Sequence, residues 1–340
     1  MNKVWFYIMM CVSSLLVGCT KYGHLPNEEM PYIAVDMRMD QTKALISQDN
    51  LNTDGSRFLV YDMHTSASKP AQYLDNQNLE LRNGTWSFTK TAGGDIIQIP
   101  WTKTGTHDFL AYNTYDAAAG KSLPVSVLYS PSNTSAKQQS LRVPSQDTWT
   151  LNLDLENQFD FIYGSATRNV ETDGYTALPI SFKHLFAAIA VEVRNAATQN
   201  LTITSLSFSN IKDRGYAQIN YNGNVSYSLS ASQASSLFQQ TYGPVSAGGL
   251  AVLYSSLGAG QAFLIWPHSA ADLANASIYI KYKLGNTTTE KTIKLTENFT
   301  VKTWNAGNKY KYQIGITDNN ISFDVIRVVD WINDDVILEE

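Results

Sequence analysis

The side chains able to do chemistry are few. The five histidines are His24, His64, His107, His184 and His268, with no HxH or HExxH spacing and no acidic partner placed to complete a site. Metal ligands must converge, and a lone histidine in a strand-rich chain reads as a surface or half-buried residue, so neither a zinc centre nor a nucleophile–base pair is expected. Serine and threonine abound, yet no G-x-S-x-G elbow, no S-x-x-K with a supporting motif and no glycine-rich phosphate loop is present. Asn50, Asn52, Asp54 and Gly55 match the opening of a calcium loop. The last position of that register is Tyr61, where a bidentate Glu is required, and neither flank reads as helical, so these residues read as a turn. A glycosidase would need two carboxyl groups about 5 to 9 Å apart. Asp334-Asp335 and Glu339-Glu340 are neighbours in a terminal tail, which is a solvated end. Trp86, Trp101, Trp149, Trp266, Trp304 and Trp331 each sit in or beside an apolar alternation. Core packing is expected for most of them, and a sugar-stacking surface is the other reading. No metal or organic cofactor is implied.

The elements that would hold these residues are strands. Phe58-Leu59-Val60-Tyr61 and Trp149-Thr150-Leu151-Asn152-Leu153 alternate in the manner of a sheet solvated on one face. Further strands are predicted at residues 32–37, 57–63, 85–89, 95–101, 107–112 and 149–155. A second set runs from Leu178 to Asp330, including 178–182, 187–194, 201–209, 216–221, 276–284, 290–295, 309–316 and 321–330. Asn83-Gly84 between Leu79-Glu80-Leu81 and Trp86-Ser87-Phe88 predicts a type I′ hairpin, because that turn needs positive φ at both central positions. Asn222-Gly223 repeats the signature, and Gly285-Asn286 joins two more alternating runs. Residues 123–144, rich in Ser, Asn, Gln and Pro, read as a long exposed loop. Only 184–190 and 230–239 suggest a helical turn or short helix. A polar loop at 168–175 marks the boundary between two all-β domains, placed at 32–172 and 173–340.

Composition agrees. The 340 residues carry 25 Lys+Arg against 30 Asp+Glu, a formal net charge of −5 that excludes a basic nucleic-acid binder. With 16% charged and 44% hydrophobic residues, the chain is too apolar for disorder. Residues 1–19 read as a secretion signal, with Lys3 in the basic region and an uncharged run from Val4 to Val17 too short to span a bilayer. The run ends in Leu16-Val17-Gly18-Cys19, which resembles the bacterial lipoprotein box, so Cys19 is the expected lipidation site and the anchor to the outer membrane. Cys11 lies within the segment removed, leaving the mature body without a thiol for a disulfide. Residues 20–31 read as a polar tether.

Three further stretches carry a resemblance: Asp160-Phe161-Ile162-Tyr163-Gly164-Ser165-Ala166, then Leu178-Pro179-Ile180-Ser181-Phe182-Lys183-His184-Leu185-Phe186-Ala187-Ala188-Ile189, then Trp304-Asn305-Ala306-Gly307-Asn308-Lys309-Tyr310 through Asp330-Trp331. In this order, and with the lipoprotein box, they resemble the fimbrillin-like (FimA/Mfa-type) lipoproteins of Bacteroidetes. The resemblance implies two tandem transthyretin-like β-sandwiches and a structural subunit of a cell-surface fimbria, without catalysis. It also implies cleavage by a trypsin-like protease near the first strand and filling of the vacated groove by a strand of another subunit. Candidate cleavage sites are Arg38 and Lys43, where Thr42-Lys43-Ala44 resembles the family's Thr-Arg-Ala; Arg57 fits less well because it opens an apolar strand. The last strand, residues 321–331 with Phe323, Val325 and Val329, reads equally as a donated strand or as one closing its own sheet. The other functional reading is a monomeric surface lipoprotein that binds a glycan or host protein through the 123–144 loop and its aromatics.

Overall fold

The computed structural model describes residues 30–39, 48–67, 69–118, 120–123, 128–130, 140–144, 159–212, 214–230, 242–253, 262–298, 303–329 and 336–337. Cys19, Lys43, the strand expected at 149–155, most of the 123–144 loop and residues 231–239 lie outside them, as do Trp149 and Trp331.

The described chain is nearly all β. Its first half holds β1 (Val35–Met39), β2 (Arg57–Ser66), β3 (Lys69–Arg82), β4 (Thr85–Thr89), β5 (Thr106–Asp116), β6 (Lys121–Ser122), β7 (Leu128–Ser130), β8 (Ser140–Pro144) and β9 (Ile162–Asn169). Then follow β10 (Leu178–His184), β11 (Ala187–Asn195), β12 (Leu201–Ser209), β13 (Arg214–Asn220), β14 (Val225–Ser230), β15 (Tyr242–Val245), β16 (Leu250–Leu253) and β17 (Phe263–Ile265). The series ends with β18 (Ser277–Leu284), β19 (Thr287–Lys294), β20 (Lys309–Ile316), β21 (Ile321–Val329) and β22 (Val336–Ile337). Four single-turn helices punctuate it: α1 (Gln48–Leu51), α2 (Val170–Asp173), α3 (Ala270–Leu273) and α4 (Leu295–Asn298). None of the described helices is long and apolar enough to cross a membrane.

An eight-stranded sheet runs β1-β10-β9-β5-β2-β3-β4 with β6 on β5, and so draws on residues from both sides of residue 173. A six-stranded sheet runs β16-β11-β20-β21-β22 with β17 on β11, and two four-stranded sheets run β15-β12-β18-β19 and β14-β13-β8-β7. Three cores separate these layers. One face of the eight-stranded sheet buries Met37, Phe58, Val60, Trp101, Phe109, Ile180 and Phe182. Its other face sends Tyr61, Leu110, Tyr112 and Tyr163 against Phe186, Ala188, Ala190, Ile219 and Trp266. The third core joins Ile189, Val191, Val193, Tyr310 and Tyr312 to Leu206, Phe208, Ile278 and Ile280. β11 therefore contributes alternate residues to two cores, and seven consecutive residues from Ala187 to Val193 are buried. That is the reason its sequence is an unbroken apolar run except for Glu192.

Turn chemistry follows the sequence in two of three hairpins. Asn83 and Gly84 have φ of 50° and 72°, the I′ pattern, and the Asp54 carboxylate accepts from both backbone N–H groups at 2.9 and 3.0 Å. Asn52, Asp54 and Gly55 thus serve a turn as expected, although Asn50 lies in the one-turn α1. At Gly285-Asn286 only the glycine has positive φ, 57°, as in type II′. Around Asn222-Gly223 the positive φ falls on Gly223 alone, and Asn220 N–H donates to Asn224 O while Gly223 N–H donates to Asn220 O. The loop has three residues with the last left-handed, rather than the two-residue turn the dipeptide suggests.

Other expectations are corrected. Residues 95–101 form isolated bridges, not a strand. The helical turn expected at 184–190 is the end of β10, a bend at Leu185-Phe186 and the start of β11, because both flanks find sheet partners. The polar stretch after Arg168 continues β9 to Asn169, whose side chain then caps α2. Within 123–144, Leu128–Ser130 and Ser140–Pro144 pair as strands, and Leu141 and Val143 take register with Ile219 and Ala217. The many Ser, Pro and amide residues there hide a short alternation.

Candidate strand-exchange site

β1 is the terminal strand of the eight-stranded sheet and runs parallel to β10, from Val35 opposite Leu178 to Met39 opposite Phe182. Ile33 and Met37 are buried in the core beneath, while Arg38 is exposed and pairs with Asp36. Burial of two such side chains stabilises by about 1.5 to 3 kcal/mol each. β10 is held on its far side by β9, where Gly164 is required by the packing: a β-carbon there would lie 2.7 Å from Ile180 Cγ2 and from Ser181 O. Glycine in the Ile162-Tyr163-Gly164-Ser165 stretch thus lets β9 and β10 approach. A cavity of about 730 Å³ opens between β1 and β4, lined in part by Met37, Arg38, Asn52 and Trp86.

The segment leading into β1 is pinned by a strip that also touches β4. Trp101 N–H donates to Pro31 O at 2.9 Å, and Ile33 N–H to Ile99 O at 2.8 Å. Farther along the strip, Ile97 N–H donates to Phe88 O at 2.9 Å. Below the strip lies a polar chain inside the sheet. His107 Nδ1 meets Asp62 Oδ2 at 2.5 Å, and its Nε2 meets Thr102 Oγ1 at 2.8 Å. His64 Nε2 donates to Thr104 O at 2.7 Å and lies 3.2 Å from the same Thr102 oxygen. The Tyr73 hydroxyl donates to Pro100 O at 2.5 Å, and the buried Trp101 ring sets its edge on His107. Burial pushes the Asp62 carboxyl up to about 6, opposed by His107 and His64. Asp62 Oδ1 and Trp101 Nε1 have no hydrogen-bond partner among the described residues.

Hydroxyl, imidazole and carboxylate in series form a nucleophile relay in hydrolases. Here the imidazole and carboxylate side chains are 0% exposed, and Thr104 O and the His64 ring crowd the hydroxyl. The arrangement fixes a loop. It also corrects the reading of lone histidines as exposed or half-buried, since His107, His184 and His268 are all buried. His184 Nδ1 bonds the Asp160 carboxylate at 3.0 Å. The carboxylates serving His107 and His184 lie 45 and 24 residues away, a separation no local motif reports. Among the described residues no three His, Cys, Asp or Glu side chains converge as a metal site would need.

The three stretches singled out in the sequence meet one another. Asp160 bonds His184, and Leu185 N–H donates to Phe161 O. Gly307 N–H donates to Phe186 O, and Ala188 N–H to Asn308 O. Trp304 is fully buried and its Nε1 donates to the Tyr312 hydroxyl at 2.8 Å. Trp101 and Trp266 are buried as well, the core role expected of them.

Of the candidate site residues, Arg38 lies within β1 with its backbone opposite Ser181. Lys43 and Cys19 lie outside the described residues. Phe323, Val325 and Val329 lie on β21, which pairs antiparallel with β20 and carries β22 on its other edge. Phe323 takes register with Ile314 and Val329 with Lys309. Between them, the single residue of β20 between Lys311 and Gln313 faces the two of β21 between Asp324 and Arg327, so a bulge breaks the two-residue period. The imperfect alternation seen in the sequence has this origin.

A family model described as fimbrillin-like matches residues 42–331. The sequence matches none of the curated proteins. Among solved structures, a candidate cell adhesion protein from Bacteroides ovatus is similar at 14% identity and a TM-score of 0.50, covering 92% of this chain and 100% of that one. The fimbrial anchor protein Mfa2 from Porphyromonas gingivalis is similar at 13% identity and a TM-score of 0.38, covering 91% and 99%. A fimbrial assembly protein from Parabacteroides distasonis matches at 11% identity and a TM-score of 0.41, covering 92% and 100%.

Proposed function

The chain belongs to the fimbrillin-like family, and from that premise we propose that it is a structural subunit of a cell-surface fimbria, assembled by exchange of β1 for a strand of another subunit. The carrying observation is the seat of β1: a five-residue terminal strand, parallel to β10, over a core it fills with Met37 and, just before it, Ile33. Loss of β1 leaves the β10 edge with unpaired backbone groups and apolar pockets at alternate positions, the combination that binds an extended segment. Cleavage after Lys43 removes all of β1. Cleavage after Arg38 falls inside the β1–β10 ladder and requires that end of β1 to open first. β21, the last long strand among the described residues, is the candidate donor, and in the isolated chain it lies between β20 and β22. Export as a lipoprotein through Cys19 places the subunit at the outer membrane.

Limited trypsin digestion of the chain lacking residues 1–19 tests this. The expected result is one cut, after Arg38 or Lys43, followed by ladders that resist SDS. A stable uncut monomer overturns strand exchange and favours a surface lipoprotein that binds a glycan or host protein. Loss of acyl label in Cys19→Ala tests the anchor separately.

A further inference from the structure

The proposed exchange of β1 leaves the polar chain unused, although it lies directly beneath the strip that pins the lead-in to β1, with Asp62 and His107 buried and His64 and Thr102 partly so. We propose that Asp62, His107, Thr102 and His64 form a clasp on residues 99–104, and through them on residues 31–33, whose strength sets how readily β1 leaves its seat. This takes its purpose from the reading of β1 as the exchanged strand, but its mechanics stand apart from that reading.

Two imidazoles converge on one short loop. His107 reaches Thr102 at 2.8 Å, His64 reaches Thr104 O at 2.7 Å, and the two rings lie 4.6 Å apart. The loop they hold continues straight into Trp101 and Ile99, the backbone partners of Pro31 and Ile33. Tyr73 fixes the same strip from β3 through Pro100 O. The network is a costly way to hold a loop. A fully buried carboxylate keeps one oxygen without a partner among the described residues, and apolar side chains of similar volume commonly serve stability as well or better. A holding device made of hydrogen bonds differs from one made of packing, since it fails over a short displacement. That property suits a segment that must be firmly seated until released.

Amide hydrogen exchange on the chain lacking residues 1–19, with Thr102→Val as the variant, tests the clasp. Valine keeps the shape and removes the oxygen that joins His107 to His64. The expected result is exchange of residues 30–39 and 96–104 about tenfold faster, with 187–195 and 309–316 unmoved. Tyr73→Phe, which frees Pro100 O, is expected to act in the same direction, and Tyr312→Phe serves as a control that loosens only the second region. Unchanged exchange at 30–39 in both variants of this seam, where residues 97–104 meet the lead-in to β1, or equal acceleration everywhere, overturns the clasp. Trypsin ladders on the same samples separate the two ideas. Ladders without moved exchange sink the clasp alone, and moved exchange without ladders sinks strand exchange alone.

Discussion

Two parallel strand pairings occur among the described residues, and they are built to opposite ends. β11 and β20 share eight register positions in the interior of a sheet, with β16 and β17 beyond one and β21 beyond the other. Their polar groups are matched: Lys311 Nζ and Gln313 Nε2 each reach the Glu192 carboxylate at 2.8 Å, and Trp304 Nε1 reaches Tyr312. His268 has both ring nitrogens engaged, by Trp266 O and by Lys212 N–H. β1 and β10 share five positions at the end of a sheet, and the polar chain nearby keeps a carboxylate oxygen and an indole N–H without partners among the described residues. A parallel pairing with neighbours on both sides is part of the frame. One at the end of a sheet, formed by a short strand from the start of the chain, is an attachment.

The comparison breaks most sharply at Trp304. Trp304→Ala is expected to cost about 3 to 5 kcal/mol in chemical denaturation, through loss of a fully buried ring and of the donor to Tyr312. A loss below about 1 kcal/mol in the same measurement means the interior pairing is no better anchored than the seam.

Asp62→Asn comes next and acts through pH. The folded carboxyl, at about 6 against an ordinary 3.8, holds its proton more tightly than the unfolded chain does. Its contribution to stability is therefore complete below about pH 4 and is lost as pH rises through about 6, by about 3 kcal/mol at most. His107 and His64 lower that pKa and Asp108 raises it, so the slope belongs to the group as a whole. Midpoints measured from pH 4 to 7 are expected to flatten in the variant, and an unchanged slope would remove Asp62 as the source of the seam's cost.

The smallest effect is at the hairpin beside the seam. Asp54→Ala removes the acceptor for Asn83 and Gly84 N–H and is expected to cost about 1 kcal/mol, seen as a lower thermal midpoint. An equal loss in Asn83→Ala, whose φ of 50° suits asparagine, would show that turn and cap act together.

Many of the strands were legible because their signals are local. Alternation located β2, β5, β12 and β20, and Asn83-Gly84 gave its turn type outright. β7 and β8 were hidden because polar composition outweighs a few alternating apolar residues. The site was less legible. Ile33 and Val35 mark a strand, but nothing in them announces a parallel partner 143 positions on, where Val35 meets Leu178. The Asp62–His107 pair escaped for the same reason, since a contact across two strands leaves no spacing rule behind. The resemblance carried by residues 160–166, 178–189 and 304–310 was better placed, because in the fold those stretches touch.

The alternation along β11 has one more consequence. On the side toward Tyr61 and Trp266 it presents Ala188 and Ala190, and on the side toward Phe208 and Ile280 it presents Ile189, Val191 and Val193. Methyl groups on one side leave room for the aromatic rings opposite, so the two alanines act as a gauge for the gap between layers. A larger residue at Ala190 would act as a wedge, and its strain would be felt in the tyrosines of the first sheet.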